Sequence, residues 1–101
     1  IAETIASTRY PVMIEGHTDA IPARGKHSNF YLSAARAASV QEYLEHAAGL
    51  QPGLITAVGM GSSSPHPEAK SPRDARHRRV EIVFEIQDRA KKPYVLPESQ
   101  P

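Results

Sequence analysis

Residues Ile14–Pro22 read IEGHTDAIP, placing an imidazole, a hydroxyl and a carboxylate in a row behind a glycine. His17, Thr18 and Asp19 could serve a metal site, a fragment of a hydrolytic triad, an ion-binding corner or a plain turn. The chain has five histidines (His17, His27, His46, His66 and His77) and no cysteine. None of the histidines has the HxxxH or HExxH spacing that puts two ligands on one helix face, so spacing alone gives no metal site. A Ser33–His17–Asp19 triad can be written down, but no GxSxG elbow exposes a nucleophile, which disfavours a hydrolase. The segment Arg73–Arg79 (RDARHRR) carries four arginines. With a formal net charge of +1 and no interleaved aromatics, it reads as a modest basic rim rather than a nucleic-acid surface.

The elements that must position these groups follow from periodicity. Ile1–Thr8 has Ile1 and Ile5 on one face and predicts the end of a helix. Val12–Glu15 alternates and predicts a strand. Gly16–His27, with Pro22 and Gly25, is a long polar loop, and loops of that length tend to be functional. Ser28 is a good N-cap for a helix over Asn29–Ala48, which stops at Gly49. Leu54–Val58 and Arg79–Ile86 predict two further strands, separated by the Gly/Ser/Pro loop Gly59–Lys70. On the last strand Val80, Ile82, Phe84 and Ile86 share a face. Gln87–Pro101 reads as a loose tail. A strand–helix–strand order implies parallel pairing, so the fold class is α/β (α+β): a small mixed sheet with helices on one face.

The 101 residues suit one domain, with 40% hydrophobic residues available for its core. No apolar run approaches the roughly 20 residues of a membrane span. The chain opens on Ile1 without a methionine and reads as a piece of a longer protein, whose targeting or anchoring segments would lie upstream.

On a helical wheel Leu32, Ser39, Val40, Tyr43, Leu44 and Ala47 fall in one arc, with Arg36 near its middle. A guanidinium on a core-facing stripe must be paired or must reach an aqueous pocket. Arg36 lies in the first half of its helix, near the end where the loop carrying Asp19 arrives. Ligands of open α/β sheets sit beyond the carboxyl ends of strands, which is where Asp19 lies. Two arrangements remain open at this point. Asp19 and Arg36 pair with each other, or they bind the ammonium and the carboxylate of a zwitterion.

Four motifs in order carry a family resemblance: IEGHTD (Ile14–Asp19), the set Asn29, Leu32, Ser33, Arg36, Ala37, Val40, Tyr43 and Leu44, then VGMGSSSP (Val58–Pro65), and RRVEI (Arg78–Ile82). Together they resemble the OmpA-like C-terminal domain, the peptidoglycan-binding module also found in Pal lipoproteins and in the flagellar stator B subunit. The loop after Asp19 resembles the stator B type, and related loops occur in type VI secretion accessory proteins. The resemblance covers residues 1–86, leaving 87–101 as the tail.

It implies a βαβαβ sandwich whose first strand is missing here, a non-enzymatic role without cofactor, and binding of the meso-diaminopimelate stem peptide of peptidoglycan. Asp19 would take the amino group and Arg36 the carboxylate. Thr18, Asn29 and Leu32 would line the pocket, with Arg78 and Arg79 at its border. The parent would be an envelope protein, periplasmic in this domain and anchored in the inner membrane, with association at the outer membrane as the other arrangement. Two departures stand out: His77 replaces the family's Asn before RRVE, and GMGSSS lacks the aromatic and Glu of the usual GYGE. The competing reading is an assembly module, a homodimer through an open sheet edge, with Asp19–Arg36 as a structural ion pair.

Overall fold

The computed structural model describes residues 2–23 and 28–86. In chain order these form α1 (Ala2–Thr8), β1 (Val12–His17), α2 (Asn29–Glu42) with a π-helical turn (Tyr43–Ala47) continuing it, β2 (Ile55–Gly59), a 3-10 turn (Ala75–His77) and β3 (Arg79–Phe84). The strands form one mixed sheet in the order β2-β1-β3, with β1 parallel to β2 and antiparallel to β3. This is the α/β architecture expected, with the crossover helix between parallel neighbours. The expected tail (87–101) and the tip of the loop at 24–27 lie outside the described residues.

The strand ends shift for a pairing reason. β1 runs on to His17 because Gly16 and His17 still oppose Val80 and Arg79. β3 stops at Phe84, opposite Val12, the first residue of β1, and a last main-chain bond from the Glu85 N–H to the Pro11 carbonyl at 2.8 Å ends the pairing before Ile86. Ile86 is correspondingly 68% exposed. The helix begins as predicted, with the Ser28 hydroxyl accepting the Tyr31 N–H. Gly49, at φ +73°, follows the helix in the left-handed region.

One face of the sheet carries Val12, Ile14 and Gly16 of β1 beside Ile55, Ala57 and Gly59 of β2. On the other flank stand Phe84, Ile82 and Val80 of β3. Ile5 of α1, Ala37, Leu44, Leu50 and the inward residues Val12, Ile14 and Ile55 form the buried core on that face.

The side of α2 that meets the sheet is only part of the arc expected from the wheel, at Val40 and Leu44. Ser33, Ala37 and Leu44 are buried and Val40 packs against them. Tyr43 is 64% exposed, and Ser39, Ala47 and Arg36 are exposed too. The physical reason is close approach. A Cβ on Gly16 would sit 2.1 Å from the Ser33 carbonyl oxygen, and one on Gly59 would sit 2.7 Å from that of Phe30. The helix lies almost backbone-to-backbone on the sheet, so its small residues face inward and its large ones are displaced to the flank. Arg36 is therefore not a charge stranded in the core.

Gly16→Ala forces a methyl into main-chain atoms that cannot rotate away. We expect it to destabilise the domain by at least about 2 kcal/mol in urea denaturation, in the upper range of overpacking costs. A change within about 0.5 kcal/mol would mean that the helix can lift off the sheet.

Candidate functional site

The turn after β1 is built from its own polar groups. Thr18 is buried; its N–H bonds to the Gly61 carbonyl at 2.8 Å and its hydroxyl to the Asp19 carbonyl at 2.9 Å. Asp19 Oδ1 accepts the Ile21 N–H at 3.1 Å, closing an Asx turn. Asn29, in the first turn of α2, donates from Nδ2 to the carbonyls of Ile21 at 3.0 Å and Asp19 at 3.4 Å. The amide thus ties the loop to the helix N-terminus.

The second Asp19 oxygen, Oδ2, accepts from Arg78 Nη1 at 2.7 Å. The structural ion pair of Asp19 is thus with Arg78 and not with Arg36, which corrects the assembly reading on that point. The reason is topological. Arg78 immediately precedes β3, which runs antiparallel beside β1, so the start of β3 meets the end of β1. Partial burial pushes the Asp19 carboxyl up, but the Arg78 and Ile21 hydrogen bonds outweigh it and leave it below the ordinary value.

Asn29, Leu32 and Arg36 recur at spacings of three and four along one side of α2, with Asn29 and Leu32 half-buried and Arg36 exposed. Arg36 makes no ion pair with a described residue. Thr18, Asp19, Asn29 and Arg78 come together, and Leu32 and Arg36 continue the helix side that Asn29 begins. Arg79 does not join them. It points to the other face of the sheet, where Nε bonds to Glu81 and the remaining nitrogens donate to the carbonyls of His77 and Ser64.

Sequence inspection passed over the role of Ser33 as a tie. Its hydroxyl donates to the Phe30 carbonyl at 3.0 Å and accepts the Gly61 N–H at 2.9 Å, wholly inside the protein. Both bonds lie on the helix side of the sheet, whereas His17 stands on the opposite side, so no triad forms.

His77 is also buried and structural. Its Nδ1 accepts the His66 N–H at 3.1 Å and its Nε2 faces the Ser71 carbonyl at 2.9 Å, which assigns the proton to Nε2. One acceptor and one donor are what the side chain of an Asn also offers, so the departure from the family pattern preserves the bonding capacity. These bonds support a cleft of about 330 Å³ on the far side of the turn, lined by Thr18, Ala20, Ser62, His66, Lys70 and His77 among others.

On the opposite face of the sheet Glu15, His17 and Glu81 bring one ligand atom each to within 4.8 Å of one another. Among the described residues this is the group with the composition to hold a cation. Spacing rules could not find it, because its members come from two strands far apart in the chain. The signal that could have found it is the antiparallel register, which sets Glu15 opposite Glu81.

The OmpA family model matches residues 1–79. Among solved structures, a MotB-like protein from Desulfovibrio vulgaris is 32% identical, with a TM-score of 0.69 over 90% of this chain and 59% of that one. The periplasmic domain of Helicobacter pylori MotB is 30% identical, with a TM-score of 0.67 over 82% of this chain and 55% of that one. The cell wall anchor of the type VI secretion system from Pseudomonas aeruginosa is 36% identical, with a TM-score of 0.65 over 82% of this chain and 60% of that one. The chain thus spans less than two thirds of each of these solved chains. No curated protein matches it significantly.

Acid should loosen the loop that carries Arg78. Asp74 accepts N–H bonds from Arg76 and Lys70, which lower its carboxyl from 3.8 to about 2. A depressed carboxylate stabilises the fold above its unfolded value and stops doing so as pH falls through the folded one. Stability should therefore decline between about pH 4 and pH 2. Urea midpoints across that window should fall steeply in the wild type and more shallowly in Asp74→Asn, which starts lower at pH 7. Parallel slopes would rule Asp74 out as a contributor.

Proposed function

The chain belongs to the OmpA family, and from that premise we propose that it is a non-enzymatic peptidoglycan-binding domain that anchors a larger envelope protein to the cell wall from the periplasm. The similarity to a solved cell wall anchor and to MotB periplasmic domains supports the reading. The observation that carries it is the Asp19 turn. A half-buried carboxylate is held in one rotamer by the Ile21 N–H at the end of the central strand. Asn29 fixes the same turn to a helix that presents Arg36 unpaired with any described residue.

The ligand we infer is the zwitterionic end of a diaminopimelate stem peptide. Its ammonium would bind Asp19, where Oδ2 now holds the 44%-exposed Arg78 side chain. Displacing or sharing an exposed guanidinium costs little, because surface ion pairs contribute only about 0–1 kcal/mol. Arg36 would take the carboxylate through its planar fork. Thr18 and Leu32 line the approach, and Arg78 borders it. Arg79 is a structural residue of the opposite face in this reading.

The assembly alternative, a dimer through an open sheet edge, gave Asp19 and Arg36 the role of a structural ion pair, and that role passes to Asp19 and Arg78. The parent we infer is a stator-like or secretion-associated envelope anchor at the inner membrane, in line with the similarity to MotB periplasmic domains and to a type VI secretion cell wall anchor.

Asp19→Asn keeps an oxygen for the Ile21 N–H and removes the charge. Together with Arg36→Ala it tests the clamp without dismantling the turn. Each should weaken co-sedimentation with purified sacculi at least about tenfold, the loss expected for a charge-assisted hydrogen bond of roughly 1.5–3 kcal/mol. Circular dichroism should remain that of the wild type. Undiminished sedimentation of both variants would eliminate the site.

A further inference from the structure

The sheet face turned away from the helices holds a polar group that the clamp does not use. Glu15 and Glu81 stand directly opposite each other on β1 and β3, and His17 lies two residues further along β1. Like charges placed directly opposite each other destabilise a sheet. Arg79 offsets part of this by binding Glu81 Oε2, and each carboxylate still brings an oxygen within 4.8 Å of an imidazole nitrogen.

A second observation is the buried imidazole itself. The His17 side chain is 1% exposed, and its Nε2 is turned into the group, 3.3 Å from Glu15 Oε1. Its Nδ1 has no hydrogen-bond partner among the described residues. A cation on Nε2 keeps the proton on Nδ1, so what points to a ligand is the aim of the buried Nε2 at two carboxylates, and not the unpartnered Nδ1.

The distances fit a small cation. Ligand atoms about 2.1 Å from a tetrahedral zinc-class ion stand roughly 3.4 Å apart. The Glu15–His17 separation already has this value, and the full set lies within 4.8 Å, a gap that small rotations of two glutamates close.

We propose that Glu15, His17 and Glu81 bind a divalent transition cation of the zinc class, with the fourth position open to solvent. An imidazole donor and only three protein ligands suit that class and not calcium or magnesium, which take six or more oxygens. The Glu81 side chain is 45% exposed and gives the ion its entry path. The two carboxylates carry two negative charges against the one positive charge of Arg79, so the group attracts cations. The bound ion clips β1 to β3 at the ends that carry Asp19 and Arg78. It therefore stabilises the frame of the clamp without touching it, and the inference stands whether or not the ligand is a stem peptide.

The test is titration of zinc chloride into the metal-free protein, followed by calorimetry and by melting temperature, with calcium and magnesium chloride as controls. One zinc per chain and a melting temperature that rises with zinc concentration are expected. Glu81→Gln, at an accessible position, should weaken zinc binding at least about tenfold, since one of three ligands is lost, and His17→Gln should abolish it. Should His17→Gln fail to fold, Glu81→Gln decides alone. Replacing the exposed His46, on the π-helical turn, by Gln should leave the affinity intact. No response of the wild type to zinc, an affinity unchanged in Glu81→Gln, or a larger response to calcium would each overturn the site.

Discussion

The contact on which the molecule depends is the near-touch between α2 and the sheet at Gly16 and Gly59. With a side-chain atom at either glycine the helix could not come as close as it does. This approach lets the Ser33 hydroxyl reach the Gly61 N–H, which holds the 59–61 turn on the helix. Gly61 in turn accepts the Thr18 N–H, so the end of β1 is fixed to the same point. Three segments distant in sequence meet through one buried hydroxyl and a few main-chain bonds. The Asp19 turn inherits its rigidity from that junction.

The same constraint explains the character of the site. Because small residues occupy the seam, the large and charged residues of α2 are left on its flanks. Asn29 reaches the turn from one flank and Arg36 follows two turns of helix later on the same side. Asp19 is then held from two directions, by the Ile21 N–H within its own turn and by Arg78 from the neighbouring strand. Each partner replaces some of the water the carboxylate gave up on partial burial, which is why its acidity rises rather than falls.

Much of this was legible in the sequence. The three strands, the Ser28 cap, the Gly49 stop and the meeting of Thr18, Asp19 and Asn29 follow from alternation, capping chemistry and a four-motif resemblance. The face of α2 was legible only in part, at Val40 and Leu44. A wheel weights residues by hydrophobicity, whereas the sheet selected them by size, and the difference moved Arg36 from the centre of the seam to its edge. The partner of Asp19 was also hidden, because which of Arg78 and Arg79 points to the turn depends on strand parity. Parity follows from the register of β3 against β1, and a shift of one residue would exchange the two arginines. The Glu15–His17–Glu81 group escaped for the same reason.

The strand order has a kinetic consequence. The central strand is the first in sequence, and it takes one neighbour from the middle of the chain and the other from residues 79–84, the last strand described. No hairpin between successive strands can form early and act as a template. The sheet is complete only when nearly all of the described chain is available, and its loop-closure entropy must be met before most of the core contacts exist. Such a topology places the domain among slow, all-or-none folders. The buried core residues among those described all lie within residues 5–55, so β3 is the strand that seals the sheet last, after the segments that build the core are already at hand.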